Sequence, residues 1–168
     1  RYMVTFGITI LLSILTVFLD SFFVALAGFR ILPVLSIAFY NKINWRYLSI
    51  FILLTSLALD VVFHYVLGTN LLILVIILLL GRIMSIFVPW ENNLGGYGLK
   101  YLGFVLYHIL LATVPSLIQS GSWGILTGTI VGGALIKSLF AIGFCIVFDL
   151  VWGRVRSKDD SSSKLKLR

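Results

Sequence analysis

The stretch YLSIFILLTSLALDVVFHYVLGTNLLILVIILLLGRIMSIFV (47–88) decides the fold class. It holds two apolar runs, 47–67 and 71–88, separated only by Gly68-Thr69-Asn70, a turn by composition. Each run approaches the 20 or so residues that cross a bilayer core at about 1.5 Å per residue. Working outward, further runs lie at 3–27, 31–40, 99–119 and 126–152. The whole chain agrees: 168 residues, 60% hydrophobic, 11% charged and a mean hydropathy of +1.11. Soluble domains carry about twice that charge and cannot hide so much apolar surface in one small core. Three Pro and one Cys exclude collagen-like and disulfide-scaffold classes. The runs are continuous rather than alternating, which argues against a β-barrel. The expected fold is an all-α polytopic membrane bundle of about six transmembrane helices, with a bundle over 1–153 and a basic tail over 154–168.

The second segment, 31–40, is too short for a direct crossing, which leaves a re-entrant, tilted or half-spanning path open; Pro33 sits in its first turn, where it is tolerated. Pro89 closes the fourth run, and Pro115 is expected to kink or end the fifth. The longest connection, PWENNLGGYG (89–98), is Gly- and Asn-rich and expected to be mobile. Its Gly95-Gly96-Tyr97-Gly98 lacks the flanking strand and Lys-Ser/Thr of a phosphate loop. Six crossings put Arg1, Lys42, Arg46, Lys100 and the tail on one side, with Arg30 alone opposite. Both termini are then cytoplasmic by the positive-inside rule. The net charge of +7 sits mostly in the tail RVRSKDDSSSKLKLR (154–168). It therefore reports topology and contact with anionic membrane lipid rather than nucleic acid, and the tail is expected to be disordered. The chain begins at Arg1 rather than Met, which suggests a clipped N-terminus, and its first run lacks the cleavage pattern of a signal peptide.

Ionisable residues inside membrane helices cost about 2.5–3.5 kcal/mol each at mid-helix, so each one is weighed. Asp60 and His64 are four apart in the third segment, hence on one helix face. They read either as a proton relay or ligand pair, or as a buried contact that fixes helix packing. Arg82, on the partner strand of the hairpin, either pairs with Asp60 or snorkels to the headgroups. His108 reads as a packed, hydrogen-bonded histidine. Asp20 and Asp149 lie near helix ends, where a carboxylate reaches water, and Lys137 can meet one of them or snorkel. No third or fourth ligand accompanies the histidines, so no metal is expected. Cys145 is alone, and no cofactor is implied. Gly128 and Gly132 form a small-xxx-small stripe that permits close helix approach. No Gly-x-Ser-x-Gly, His-Glu-x-x-His or paired-carboxylate motif is present, so no enzyme is expected. Gly68 stands where a tight turn needs a positive φ.

Over most of its length the chain resembles the MreD family of rod-shape-determining membrane proteins. The likeness runs through the short Pro-containing segment RILPVLSIAFY (30–40), the basic turn NKINWR (41–46), and above all LALDVVFHYVLGTNLLIL (57–74). That family typically has an Asp late in its third helix and a Gly eight residues on, matched by Asp60 and Gly68. Its further glycines before and four residues after the Asp are Ser56 or Ala58 and His64 here. The resemblance implies a non-enzymatic scaffold subunit of the cell-wall elongation complex in the bacterial cytoplasmic membrane. It would bind an MreC-like partner and, indirectly, MreB, RodA and a class B penicillin-binding protein. The family is similar in shape to substrate-binding subunits of energy-coupling-factor vitamin transporters, the alternative reading. That alternative calls for an external polar pocket and an AxxxA face on the first helix. Neither stands out: the run GITILLSILT (7–16) has no Ala pair, and polar residues at the outer ends are sparse.

Overall fold

The computed structural model describes residues 2–40, 42–88, 94–121 and 127–165, with side chains between Phe6 and Arg154 in those spans. Asn41, 89–93 of the 89–98 connection, Ser122 and the tail side chains lie outside the described residues. Every described element is helical: α1 (Tyr2–Ala27), α2 (Ile31–Phe39), α3 (Trp45–Val62), α4 (Thr69–Met84), α5 (Leu94–Ser120) and α6 (Gly128–Leu165). Four of them, α1, α3, α5 and α6, are long and apolar enough to cross a membrane. This supports a multi-pass membrane protein. By helical rise α4 is about 24 Å long and α2 only about 14 Å.

The outer surface is apolar, unlike that of a soluble bundle: large side chains such as Leu11, Phe18, Leu79 and Ile136 face outward. Inside, α2–α5 supply a core of Phe, Leu and Ile, whereas α1 and α6 turn small and hydroxyl residues inward. The buried face of α1 is Thr9, Ser13, Thr16 and Asp20, and that of α6 is Ala134, Ser138, Ala141, Cys145 and Asp149. Lipid is as apolar as leucine, so helices gain most where small residues let backbones approach. The hydroxyls settle their own hydrogen bonds on the carbonyl four residues back: Ser13 on Thr9 (2.9 Å), Thr16 on Leu12 (2.7 Å), Thr55 on Phe51 (2.7 Å) and Ser138 on Ala134 (2.6 Å). They can therefore line a helix interface without a partner across it. The expected small-residue stripe of α6 is displaced from this face: Gly128 is exposed, Gly132 is half-buried, and a Cβ at either would meet nothing within 4 Å.

The short α2 is the centre of the bundle. Eight of its nine residues are buried, and α1, α3, α5 and α6 all pack against it. Its Phe39 end meets Phe51 of α3 and Phe148 and Trp152 of α6. Its first turn lies beside Asp20, late in α1. It therefore runs from the side of the α1–α2 turn back toward the side where α3 begins.

Several boundaries differ from the sequence reading. The fifth helix begins at Leu94 and so takes in 94–98 of the connection expected to be mobile, and the fourth ends at Met84. The third helix stops at Val62, not 67, because His64 takes a left-handed φ of +56°. Tyr65 N–H then donates to Asp60 C=O (2.8 Å) and His64 N–H to Val61 C=O (3.3 Å), a Schellman closure with histidine at the left-handed position. The fifth helix carries on past Pro115 to Ser120. The sixth continues through the charged stretch to Leu165, where a disordered tail was expected.

Gly68 has φ +94° and open space around its missing Cβ, so the backbone angle alone demands glycine there. Gly68→Ala is expected to cost about 1–2 kcal/mol, and Gly68→Val to lose folded protein from membranes, read as monodisperse yield and thermal unfolding in mild detergent. His64→Gly should hold or raise stability in the same assay.

Candidate functional site

A layer of buried polar groups lies just inside the α1–α2 and α3–α4 turns. Asp20, fully buried, accepts Ile31 N–H at 2.6 Å and Leu32 N–H at 3.2 Å with Oδ1. Its Oδ2 accepts Arg30 Nη1 at 2.9 Å. Helix N-termini present four backbone N–H groups without helical partners. Here two of them are taken by Asp20, and Pro33 has none to satisfy. The negative carboxylate also sits favourably against the positive end of α2. Arg30 is itself buried, its guanidinium carbon 3.6 Å from the centroid of the Phe63 ring. A desolvated cation on an aromatic face is a favourable contact, and it joins the first hairpin to the second.

Asp60 repeats the arrangement. Its Oδ2 accepts Gly68 N–H at 2.7 Å, and its Oδ1 accepts Asn70 N–H at 3.1 Å and Asn70 Nδ2 at 2.8 Å. Asn70 Oδ1 in turn accepts the Tyr107 hydroxyl at 2.9 Å, tying α5 into the layer. The two hairpins share a pattern forty residues apart: Leu19-Asp20, Phe23, Gly28, Arg30, Leu32 against Leu59-Asp60, Phe63, Gly68, Asn70, Leu72. Gly28 and Gly68 both have positive φ, and Arg30 and Asn70 both send a side-chain donor to the aspartate ten residues earlier. That internal repeat was the signal in the sequence for Asp20, expected at a water-accessible helix end, and for Arg30, expected only as the lone basic residue on its side of the membrane. Gly121 closes α5 with the same left-handed angle, φ +66°, but Thr113 stands eight residues before it in place of an acid.

A second cluster lies at the opposite end of α2. Asp149 of α6 pairs with Lys42, just past the α2 C-terminus, and with Lys100 of α5 at 3.2 Å. Tyr97 OH is 3.4 Å from Asp149 Oδ2. Lys42 also sits 5.0 Å from the Phe148 ring centroid. Asp149 is 8% exposed, so this carboxylate too is buried and paired rather than open to water.

The residues singled out from sequence are not brought together as expected. Asp60 and His64 do not share a face, since the helix ends between them and His64 is exposed. Arg82 is exposed on α4 and forms no pair with Asp60, whose two oxygens are filled by donors of the α4 N-terminus. Gly68 is inside the site, as donor and as turn. Carboxylates with both oxygens occupied by fixed donors anchor helix ends; they are poorly placed to relay a proton. Among the described residues no three His, Cys, Asp or Glu come together as metal ligands. No family model, curated protein or solved structure matches this chain.

Asp60→Asn puts an amide against three N–H donors. A loss of about 2–3 kcal/mol is expected from the forfeited charged hydrogen bonds, measured by thermal unfolding, whereas Arg82→Gln should leave the unfolding midpoint unchanged.

Proposed function

We propose that the protein is a non-enzymatic scaffold subunit of the bacterial cell-wall elongation machinery, of the MreD kind, embedded in the cytoplasmic membrane. In this reading α2 counts as a crossing, giving six, and both termini are cytoplasmic. The exposed basic residues Arg46 and Arg154 then face the anionic inner leaflet, with the Lys42–Asp149–Lys100 cluster held inside the bundle. Its direct partner is an MreC-like membrane protein, which links it to MreB, RodA and a class B penicillin-binding protein.

The observation that carries the reading is how the buried acids are used. Asp20, Asp60 and Asp149 are each committed to helix ends or to lysine and arginine partners within the bundle. Under the α1–α2 and α3–α4 turns the polar groups of the layer are taken up by the protein's own donors and acceptors, which favours a structural role over ligand capture. What the molecule presents outward is largely apolar. One such feature is a groove of about 670 Å³ between α1 and α3, lined by Ile14, Val17, Phe18 and Ser21 with Leu54 and Ala58. Small residues such as Ser21 and Ala58 let a further helix approach closely. The 57–74 likeness supports the same assignment.

The test is co-purification of the tagged full chain with the MreC-like protein of its own genome from mild detergent. A stoichiometric complex on size exclusion is expected, weakened at least tenfold by Ala58→Leu, which fills the groove, and unaffected by His64→Asn. Two separate monodisperse proteins would contradict the assignment.

A further inference from the structure

The outward face of α4 carries a charge inside an apolar stripe. Leu72, Val75, Ile76, Leu79 and Ile83 are exposed at helical spacing, and Arg82 stands in the same stripe, also exposed. Past Arg82 the exposed apolar surface continues through Ile86 and Phe87. Among the described residues the Arg82 guanidinium enters no ion pair or hydrogen bond; only its backbone C=O is used, accepting the Ser85 hydroxyl at 2.6 Å. α4 packs mainly against α3 and α5, and the stripe is turned away from both.

Helix lengths decide what meets this cation. From Thr69, at the α3–α4 turn, to Arg82 the helix rises about 20 Å, some two-thirds of a hydrocarbon core of ~30 Å. On α6 the exposed large apolar residues run from Val131 to Trp152, a rise of about 32 Å that matches the core. The two faces therefore ask for bilayers of different thickness. α4 cannot slide to make up the difference. Thr69 and Asn70 are buried, and Asn70 is tied to Asp60 through its N–H and Nδ2 and to the Tyr107 hydroxyl through Oδ1. Moving α4 toward its Arg82 end would draw that polar layer deeper into hydrocarbon. A stretched arginine side chain closes part of the gap, and thinning of the bilayer closes the rest.

We propose that the α4 face sits in locally thinned bilayer, with phospholipid phosphates of the leaflet at its C-terminal end drawn in to Arg82. The guanidinium suits this role, since its planar fork donates to two phosphate oxygens at once and keeps its charge. The apolar belt of the molecule is then a wedge, of full thickness at α6 and thin at α4. The inference needs only that the chain crosses a membrane, so it stands apart from the scaffold reading.

Thermal unfolding of the full chain in phosphatidylcholine vesicles of increasing acyl length (dimyristoleoyl, dioleoyl, dierucoyl) tests it. The midpoint is expected to fall by several degrees from the shortest to the longest chains. Arg82→Leu should lose most of that fall while unfolding as the original chain does in detergent, where no bilayer thickness is imposed. Leu79→Arg, which adds a cation one turn nearer the α3–α4 turn on the same exposed stripe, should steepen it. Should Arg82→Leu not fold, Leu79→Arg decides the matter alone. A midpoint independent of acyl length or rising with it, a fall unchanged in Arg82→Leu, or no steepening in Leu79→Arg would overturn the proposal. So would an Arg82→Leu chain that loses its MreC-like partner while keeping the acyl-length dependence, which would make Arg82 an anchor for a partner's carboxylate.

Discussion

The contact on which the rest of the bundle depends is the Asp20 carboxylate against the first turn of α2. A nine-residue helix is too short to span a bilayer core by itself, and its first turn is buried, so its end groups need partners within the protein. Asp20 supplies the acceptor for Ile31 and Leu32, and Arg30 balances its charge. At the other end Lys42 leaves the helix directly onto Asp149. With both ends tied, α2 can stand buried at the centre and give α1, α3, α5 and α6 a common surface. Removing the carboxylate would leave polar backbone groups in an apolar interior, which is the costliest place for them.

The α3–α4 hairpin applies the same device with different chemistry. Asn70 replaces Arg30 as the side-chain donor, so Asp60 meets an amide where Asp20 meets a guanidinium. It is instead surrounded by N–H dipoles, and the chain of hydrogen bonds continues to Tyr107. The Arg30 guanidinium over Phe63 joins the two hairpins. Two copies of one capping pattern thus set the relative height of four helices.

Much of this was legible in the sequence. Continuous apolar runs separated by short turns gave the helices, and the Gly-Thr-Asn turn gave the left-handed Gly68. The boundaries that slipped did so for local reasons: histidine at 64 adopted the left-handed conformation that glycine usually holds, ending α3 early, and α5 accommodated Pro115. The roles of Asp20 and Asp149 were missed because single ionisable residues near helix ends read as water-accessible. Their partners, Ile31 and Leu32 backbone, Lys42 and Lys100, come from other segments, and helical spacing within one segment cannot reveal them. The repeat of Leu-Asp, Phe and Gly across 19–28 and 59–68 was the available clue. Gly128 and Gly132 illustrate the opposite error: the spacing fits close packing, but the buried face of α6 begins at Ala134.

A double-mutant cycle on Asp20 and Arg30, read by thermal unfolding in detergent, tests this arrangement most directly. If the carboxylate chiefly serves the α2 N-terminus, Arg30→Met lowers stability less than Asp20→Leu. The double variant then remains as unstable as Asp20→Leu, because the Ile31 and Leu32 amides still lack an acceptor. Recovery of the double variant to near the original midpoint would contradict this, and would reduce Asp20 to a counter-ion for Arg30.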